Sequence, residues 1–258
     1  MKYFDAHSHV SFKDYDVDRD AVIGRMREVG VGAITVGVDY ETSKEAVAFA
    51  ETHEDFYATI GLHPTDTVTE NFDASKFSAL ATHPKVVGVG ECGLDYFRIE
   101  GDFETEKKRQ VIDFEKQIFF ALEHDLPLML HCRPTRGSMD AYEDVLALLA
   151  GRNTRGNAHF FVGNVDIARK FYDLGFTTSF TGVLTFTHDY DEVVRFSPAD
   201  MLLTETDSPY VAPVPHRGSR NEPTHVTYVV AAIARIRGVD EEQIRAQILE
   251  NAKRVFHI

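Results

Sequence analysis

Seven residues of this chain have the types and spacing that metal-assisted hydrolysis uses: His7, His9, His63, Glu91, His131, His159 and Asp207. In DAHSH, His7 and His9 stand two apart, and the alternation of a strand puts both imidazoles on one face. Two neutral imidazoles side by side suit a borderline divalent cation. Alone, H-x-H is a weak motif. Glu91 and Asp207 strengthen it, because they follow the apolar runs VVGVG and MLLTET. A carboxylate placed there is nearly buried, and a buried charge needs a partner, either a cation or an arginine. Asp5 falls on the same face as His7 and is expected to orient a ligand imidazole from behind or to pack one layer lower.

The elements that must position these groups can be read from periodicity. Eight apolar runs have strand length: KYFDAH, GAITVGV from Gly32, FYATIGL from Phe56, VVGVGE from Val86, LPLMLH from Leu126, NAHFF from Asn157, FTTSFTG from Phe176 and MLLTET from Met201. Between them lie segments with apolar residues at three- and four-residue spacing, such as DRDAVIGRMREVG, ETSKEAVAFAETH and NVDIARKFYDLG. Several open on Asp, Asn, Ser or Thr, and Gly30, Gly151 and Gly175 read as C-terminal caps. From Glu222 two further helices follow, and they are expected to complete an outer ring. Alternation of this kind predicts an α/β protein with a closed (β/α)₈ barrel, residues 1–258 forming a single domain. A doubly wound open sheet is the competing architecture. In a barrel, the C-terminal strand ends build the active site. All seven residues fall at such ends.

Other residues sort by the same map. His53, His83 and His124 lie at predicted helix ends, where an exposed imidazole suits the helix dipole. His257 sits in the tail, and His188 and His225 carry no readable constraint. Arg133, Arg136, Arg217 and Arg220 lie in loops after the fifth and eighth strands, and their planar forks suit phosphate oxygens. Their alternatives are solvation or pairing with acids. Asn221 is expected to contact substrate or to cap the next helix. Tyr96 and Phe97 would stack a nucleobase or pack in the core. Cys132 and Cys92 follow His131 and Glu91, so they point to the opposite face and are not expected to act as nucleophiles.

Composition narrows the function classes. The chain has 258 residues, 43% hydrophobic, with a formal net charge of -14. That is enough for one well-packed core and argues against global disorder. It also argues against a general nucleic-acid coat protein, whose footprint is a broad basic surface. Two cysteines outside any C-x-x-C pair suggest neither a disulfide framework nor a zinc knuckle. The strand-like start MKYFDAHSHV has no secretory pattern, and no apolar run approaches the roughly 20 residues that span a bilayer. A cytoplasmic protein with no membrane association is expected.

Taken together, DAHSH at 5–9, GLHP at 61–64, GECGLDYF at 90–97, LHCR at 130–133, HFFVG at 159–163, FTGVLTF at 180–186 and ETDSPYVAP with RGSRNEP between 205 and 223 resemble the TatD family of metal-dependent hydrolases. The resemblance covers essentially the whole chain. It implies a TIM-like barrel with one divalent ion on His7, His9, Glu91 and Asp207 and a second on Glu91, His131 and His159. Glu91 would bridge the two, and His63 would contact substrate. Family members are described mostly as deoxyribonucleases, including 3′→5′ exonucleases. This chain departs from relatives after LHCR, where RPTRGSMDAYED replaces a short acidic turn, which puts substrate preference in question.

The expected chemistry is hydrolysis by a water that two ions activate. In this reading Asp207 is both a ligand and the proton acceptor, with Glu91 and His63 completing the catalytic set. His63, Arg133, Arg136, Arg217, Arg220 and Asn221 are the candidate substrate contacts. The donor set suits zinc first, with manganese, cobalt, nickel or iron compatible and magnesium less natural. The substrate is expected to be DNA or a small phosphate ester, and the protein a monomer without a stable protein partner. A hydrolase of a carboxylic ester, lactone or amide on the same scaffold is the alternative. A non-catalytic binding protein is disfavoured, because all six ligands are present.

Overall fold

The computed structural model describes residues 1–65 and 70–258. Eight parallel strands pair strictly in chain order: β1 Tyr3–Ser8, β2 Val31–Val36, β3 Phe56–Ile60, β4 Val86–Asp95, β5 Leu128–Arg133, β6 Gly156–Ala158, β7 Phe176–Phe180 and β8 Leu202–Thr204. Closure comes just beyond β8. Ser208 bridges Ser8 in parallel, Asp207 N donates to His7 O at 2.9 Å, and His9 N donates to Ser208 O at 2.8 Å. The expected barrel is therefore found, and each predicted strand overlaps an observed one.

Helices α1 Arg19–Val29, α2 Tyr40–Glu51, α3 Ala74–Ala81, α4 Phe103–Glu123, α5 Asp140–Leu149, α6 Val165–Asp173, α7 Asp191–Phe196 and α8 Val226–Arg237 alternate with the strands or follow the last one. Their starts are set by short polar side chains. Asp39, Asp102 and Asn164 each accept from a backbone N–H three residues on. Gly30, Gly151 and Gly175 take φ of 83°, 74° and 80° at the ends of α1, α5 and α6, as expected for residues that end a helix in the left-handed region.

Alternation along the strands separates two apolar clusters. Val31 and Ala33, Leu128 and Leu130, and Leu202 pack outward with the helices. Ile34, Val36, Met129 and Leu203 face inward with Phe4, Ala6 and Val87. The last helix, α9 Glu241–Phe256, gives Ile244 and Ile248 to the outer cluster but Leu249, Ala252, Val255 and Phe256 to the inner one. It does not extend the outer ring, as its periodicity had suggested. It closes the end of the barrel where the strands begin: Arg245 donates to Lys2 O and Arg254 to Asp200 O, just ahead of β1 and β8. With that end sealed by apolar side chains, the opposite end is left for chemistry.

Candidate metal centre

The chain builds the centre around Glu91. The β4–β5 register shifts between Val89 and Cys92. Two glycines allow it. Gly90 and Gly93 sit at φ of 142° and 141°, where a Cβ would lie 2.3 Å from Met129 O and 2.1 Å from His131 O. Only a residue without a side chain permits this close approach of β4 to β5.

The two oxygens of Glu91 face different partners. Oε1 is 2.7 Å from His131 Nδ1, 2.9 Å from His159 Nε2 and 3.3 Å from His63 Nε2. Oε2 is 3.3 Å from His7 Nε2 and 3.9 Å from His9 Nε2. Asp207 Oδ1 completes the second group, 3.7 Å from His7 Nε2 and 3.6 Å from His9 Nε2. All seven residues, from the first strand to the turn after the last, converge here. Among the described residues three groups could hold an ion: His7, His9 and Asp207; His63, Glu91 and His131; and His7, His159 and Glu205. His63, expected to contact substrate, thus groups with Glu91 and His131, while His159, also 2.9 Å from Glu91 Oε1, groups with His7 and Glu205.

Outer partners fix which nitrogen faces inward in three of the rings. His9 Nδ1 lies 3.0 Å from Val36 O, so Nδ1 carries the proton and Nε2 presents a lone pair. His131 is turned the other way, with Nε2 3.1 Å from Asp95 Oδ2 and Nδ1 left inward. His159 Nδ1 is 3.3 Å from Glu205 Oε1, leaving Nε2 inward. The inward nitrogens of His131 and His159 are 3.4 Å apart, and those of His7 and His9 3.3 Å. Lone pairs turned on each other at such distances repel unless a cation lies between them. The residues therefore fit divalent metal.

Electrostatics points the same way. Burial opposes charge on Glu91, yet His159, His63 and His7 hold its carboxyl well below the usual range. Burial likewise opposes protonation of His131, but Asp95 and Glu91 push it upward. His159 is raised well above its ordinary value by Glu91 and Glu205, against its burial. His7 is lowered by burial and by the stacked His159 ring, whose centroid is 3.8 Å away. A group of carboxylates that raises its imidazoles in this way is seeking positive charge.

Two members of the centre escaped the sequence reading, Asp95 and Glu205. Both are fully buried. Glu205 accepts from Phe160 N at 2.7 Å and from Ser179 Oγ. Alternation carried two residues past the inward Leu203 would have revealed it. Asp95, four past Glu91, accepts from Phe97 N at 3.1 Å and Arg98 N at 2.9 Å. Asp5 orients no imidazole. Its carboxylate accepts from Thr206 N at 2.8 Å, from Thr206 Oγ1, and from the backbone N of His7 at 3.3 Å.

Above the cluster opens a cavity of about 640 Å³, bordered by Phe12, Arg98, Arg133, Phe160 and Tyr210 among others. Of the four candidate arginines, only Arg133 lies on its wall. Arg136 is exposed beyond it. Arg217 donates to Ala212 O at 2.9 Å and packs on Phe186. Arg220 grips Asp18 at 2.8 and 2.7 Å over the Tyr15 ring. Asn221 is buried, and its Nδ2 donates to Thr206 O at 2.9 Å and Tyr210 O at 2.7 Å, pinning the turn that carries Asp207. That turn needs pinning, because Asp207 adopts φ of 53°, a costly conformation for a residue with a Cβ. Tyr96 is buried, donating to Asp144 Oδ2 at 2.9 Å, whereas Phe97 is 52% exposed. Cys132 packs with the outward cluster while touching the cavity wall, and burial pushes its thiol up, away from nucleophilic use.

Comparison with known proteins places the chain as a whole. A family model described as TatD related DNase matches residues 4–257. An uncharacterized metal-dependent hydrolase of Bacillus subtilis, YabD, is 38% identical, with 99% of each chain covered. The protein named 3′-5′ ssDNA/RNA exonuclease TatD of Cronobacter sakazakii is 34% identical over 98% of this chain and 97% of its own. Among solved structures, the TatD homolog YJJV of Escherichia coli superposes with a TM-score of 0.89 at 26% identity, covering 100% and 98% of the two chains. Among the described residues, no helix is long and apolar enough to cross a membrane.

Proposed function

This chain belongs to the TatD related DNase family and is a metal-dependent hydrolase, and from that premise we propose that it cleaves phosphodiester bonds of single-stranded nucleic acid, DNA foremost, from the 3′ end. The observation that carries the reading is the division of labour on Glu91, with one oxygen toward His131 and His159 and the other toward His7 and His9. It supports two divalent ions, zinc first, one on His7, His9, Glu91 and Asp207 and the other on Glu91, His131 and His159. Ions held there would polarise a phosphoryl oxygen and acidify a water.

The protein's own groups do the rest. The Asp207 side chain is 15% exposed toward the cavity and accepts the proton of the attacking water. His63 borders the same cavity, with Nδ1 2.7 Å from Thr65 Oγ1. It orients a phosphate oxygen or gives a proton to the leaving oxygen. Arg133 supplies charge at the wall. Free, buried Cys92 and Cys132 support work in a reducing cytoplasm.

The test is metal depletion with a chelator, followed by single-ion add-back. Cleavage is followed on a 3′-labelled single strand and on a chromogenic phosphodiester. Metal-dependent loss of the label that Glu91→Ala abolishes supports the reading. Protein that holds two ions and cleaves neither substrate overturns it and directs the search to carboxylic esters, lactones and amides.

A further inference from the structure

Resting on that reading, we propose that Arg98 and Arg133, set on the Phe97 ring, form a second phosphate site inside the cavity. It would take the phosphate next to the scissile one, so the substrate is a phosphodiester chain and not an isolated ester.

The argument starts from charge. The chain carries 27 basic and 41 acidic residues, and its arginines are mostly committed to acids or backbone oxygens. Arg25 pairs with Glu222, Arg155 with Asp125 and Arg220 with Asp18. Arg133 differs. Among the described residues it forms no ion pair. Its guanidinium lies over Phe97, with Cζ 4.3 Å from the ring centroid. That packing orients the fork without using its N–H donors. Arg98 comes close by, with only a loose contact, 3.9 Å, to Asp95 Oδ2. Two like charges brought together on a cavity wall, with unused donors, are a site for an anion.

Placement supplies the substrate class. Both arginines border the cavity that Glu91, His63 and Asp207 also border. Asp95 links the two regions: Oδ2 meets His131 Nε2, while Oδ1 accepts from the backbone of Phe97 and Arg98. The arginine site is therefore held in register with the metal ligands. A substrate that fills both places has two anionic groups on one short backbone, as successive nucleotides do. Contacts to backbone phosphate carry no sequence information, so recognition at this site would be independent of sequence.

The experiment measures binding apart from cleavage. A fluorescein-labelled hexathymidylate with phosphorothioate linkages keeps its charges and resists hydrolysis. Its anisotropy is followed on the full, metal-loaded chain. Arg98→Ala and Arg133→Ala should each weaken binding about tenfold. The double variant should lower the slope of log affinity against log salt by about 0.7, the value for one single-strand phosphate contact. Arg217→Ala and Arg220→Ala should stay within about twofold. Equal affinity and slope in the double variant and the parent overturn the inference, as does a parent that does not bind the strand. A parallel cleavage assay on the unmodified strand separates the two readings. Cleavage indifferent to the arginines sinks only the second phosphate site. Arginine-dependent binding without cleavage sinks only the hydrolytic reading.

Discussion

Asp95 stands directly behind His131, with Oδ2 3.1 Å from Nε2, while Nδ1 of the same ring meets Glu91 at 2.7 Å. The imidazole is thus held between two carboxylates, one fully buried, and its inward nitrogen is chosen by its outward one. Removing the charge of Asp95 should free the tautomer and the ring. Asp95→Asn is expected to lower affinity for the more weakly held ion about 10–100-fold. Activity should recover with excess metal. Titration of the chelated variant by calorimetry checks this, and an unchanged affinity would assign Asp95 to its backbone contacts alone.

Asp207 makes a separable prediction. Asp207→Asn should keep the fold, since the backbone bonds to His7 and Tyr210 persist. It should lower turnover at least about 100-fold by removing the proton acceptor. Metal content measured beside kcat decides. A variant with both ions and parental kcat removes the acceptor role.

Gly93 tests how the centre is built. In Gly93→Ala the new Cβ meets His131 O at 2.1 Å, with the backbone at a φ of 141°. Strand β5 would have to move and take His131 with it. We expect a loss of about 3–5 kcal/mol, at the severe end for single substitutions. Denaturant melts and soluble yield report it. Parental stability would mean that β4 can relax without its bulge.

His225 gives a pH dependence away from the metal ligands. Burial and the stacked His216 ring lower it to about 4. Its folded value lies below the unfolded one of about 6.5, so the unfolded chain binds the proton first as pH falls. The neutral ring therefore contributes stability that is complete above about pH 6.5 and is lost toward pH 4. His225 is only half buried, so the effect should be about 1 kcal/mol. In His225→Gln the melting temperature should fall less between pH 7 and 4 than in the parent. Parallel curves would exclude the linkage.

Acid should also strip the metal. The raised His131 and His159 compete for protons where Glu91 and its neighbours favour positive charge. Lowering the pH should release ion as those rings protonate. Ion release followed with a colorimetric chelator measures it. Retention of both ions as these rings protonate would contradict the proposed ligand set.

Much of this protein was determined locally. Strand length, helix period and caps at Asp39, Asn164 and Gly30 are short-range properties, and so the barrel was legible. Placing histidines and acids at strand ends required only alternation and the rule that the C-terminal edge carries chemistry. Contacts between distant segments were not legible. The same arginine type follows strands five and eight, but only packing decides that Arg220 is spent on Asp18 while Arg133 lies on Phe97 at the cavity. Asn221 reads as a polar loop residue until folding brings it against Thr206 and Tyr210. Helix α9 has the period of an outer helix. It closes the barrel base because the inward faces of β1, β2 and β8 leave an apolar opening there. Periodicity fixes which face of an element is apolar, and the partner of that face is set only when all eight strands close.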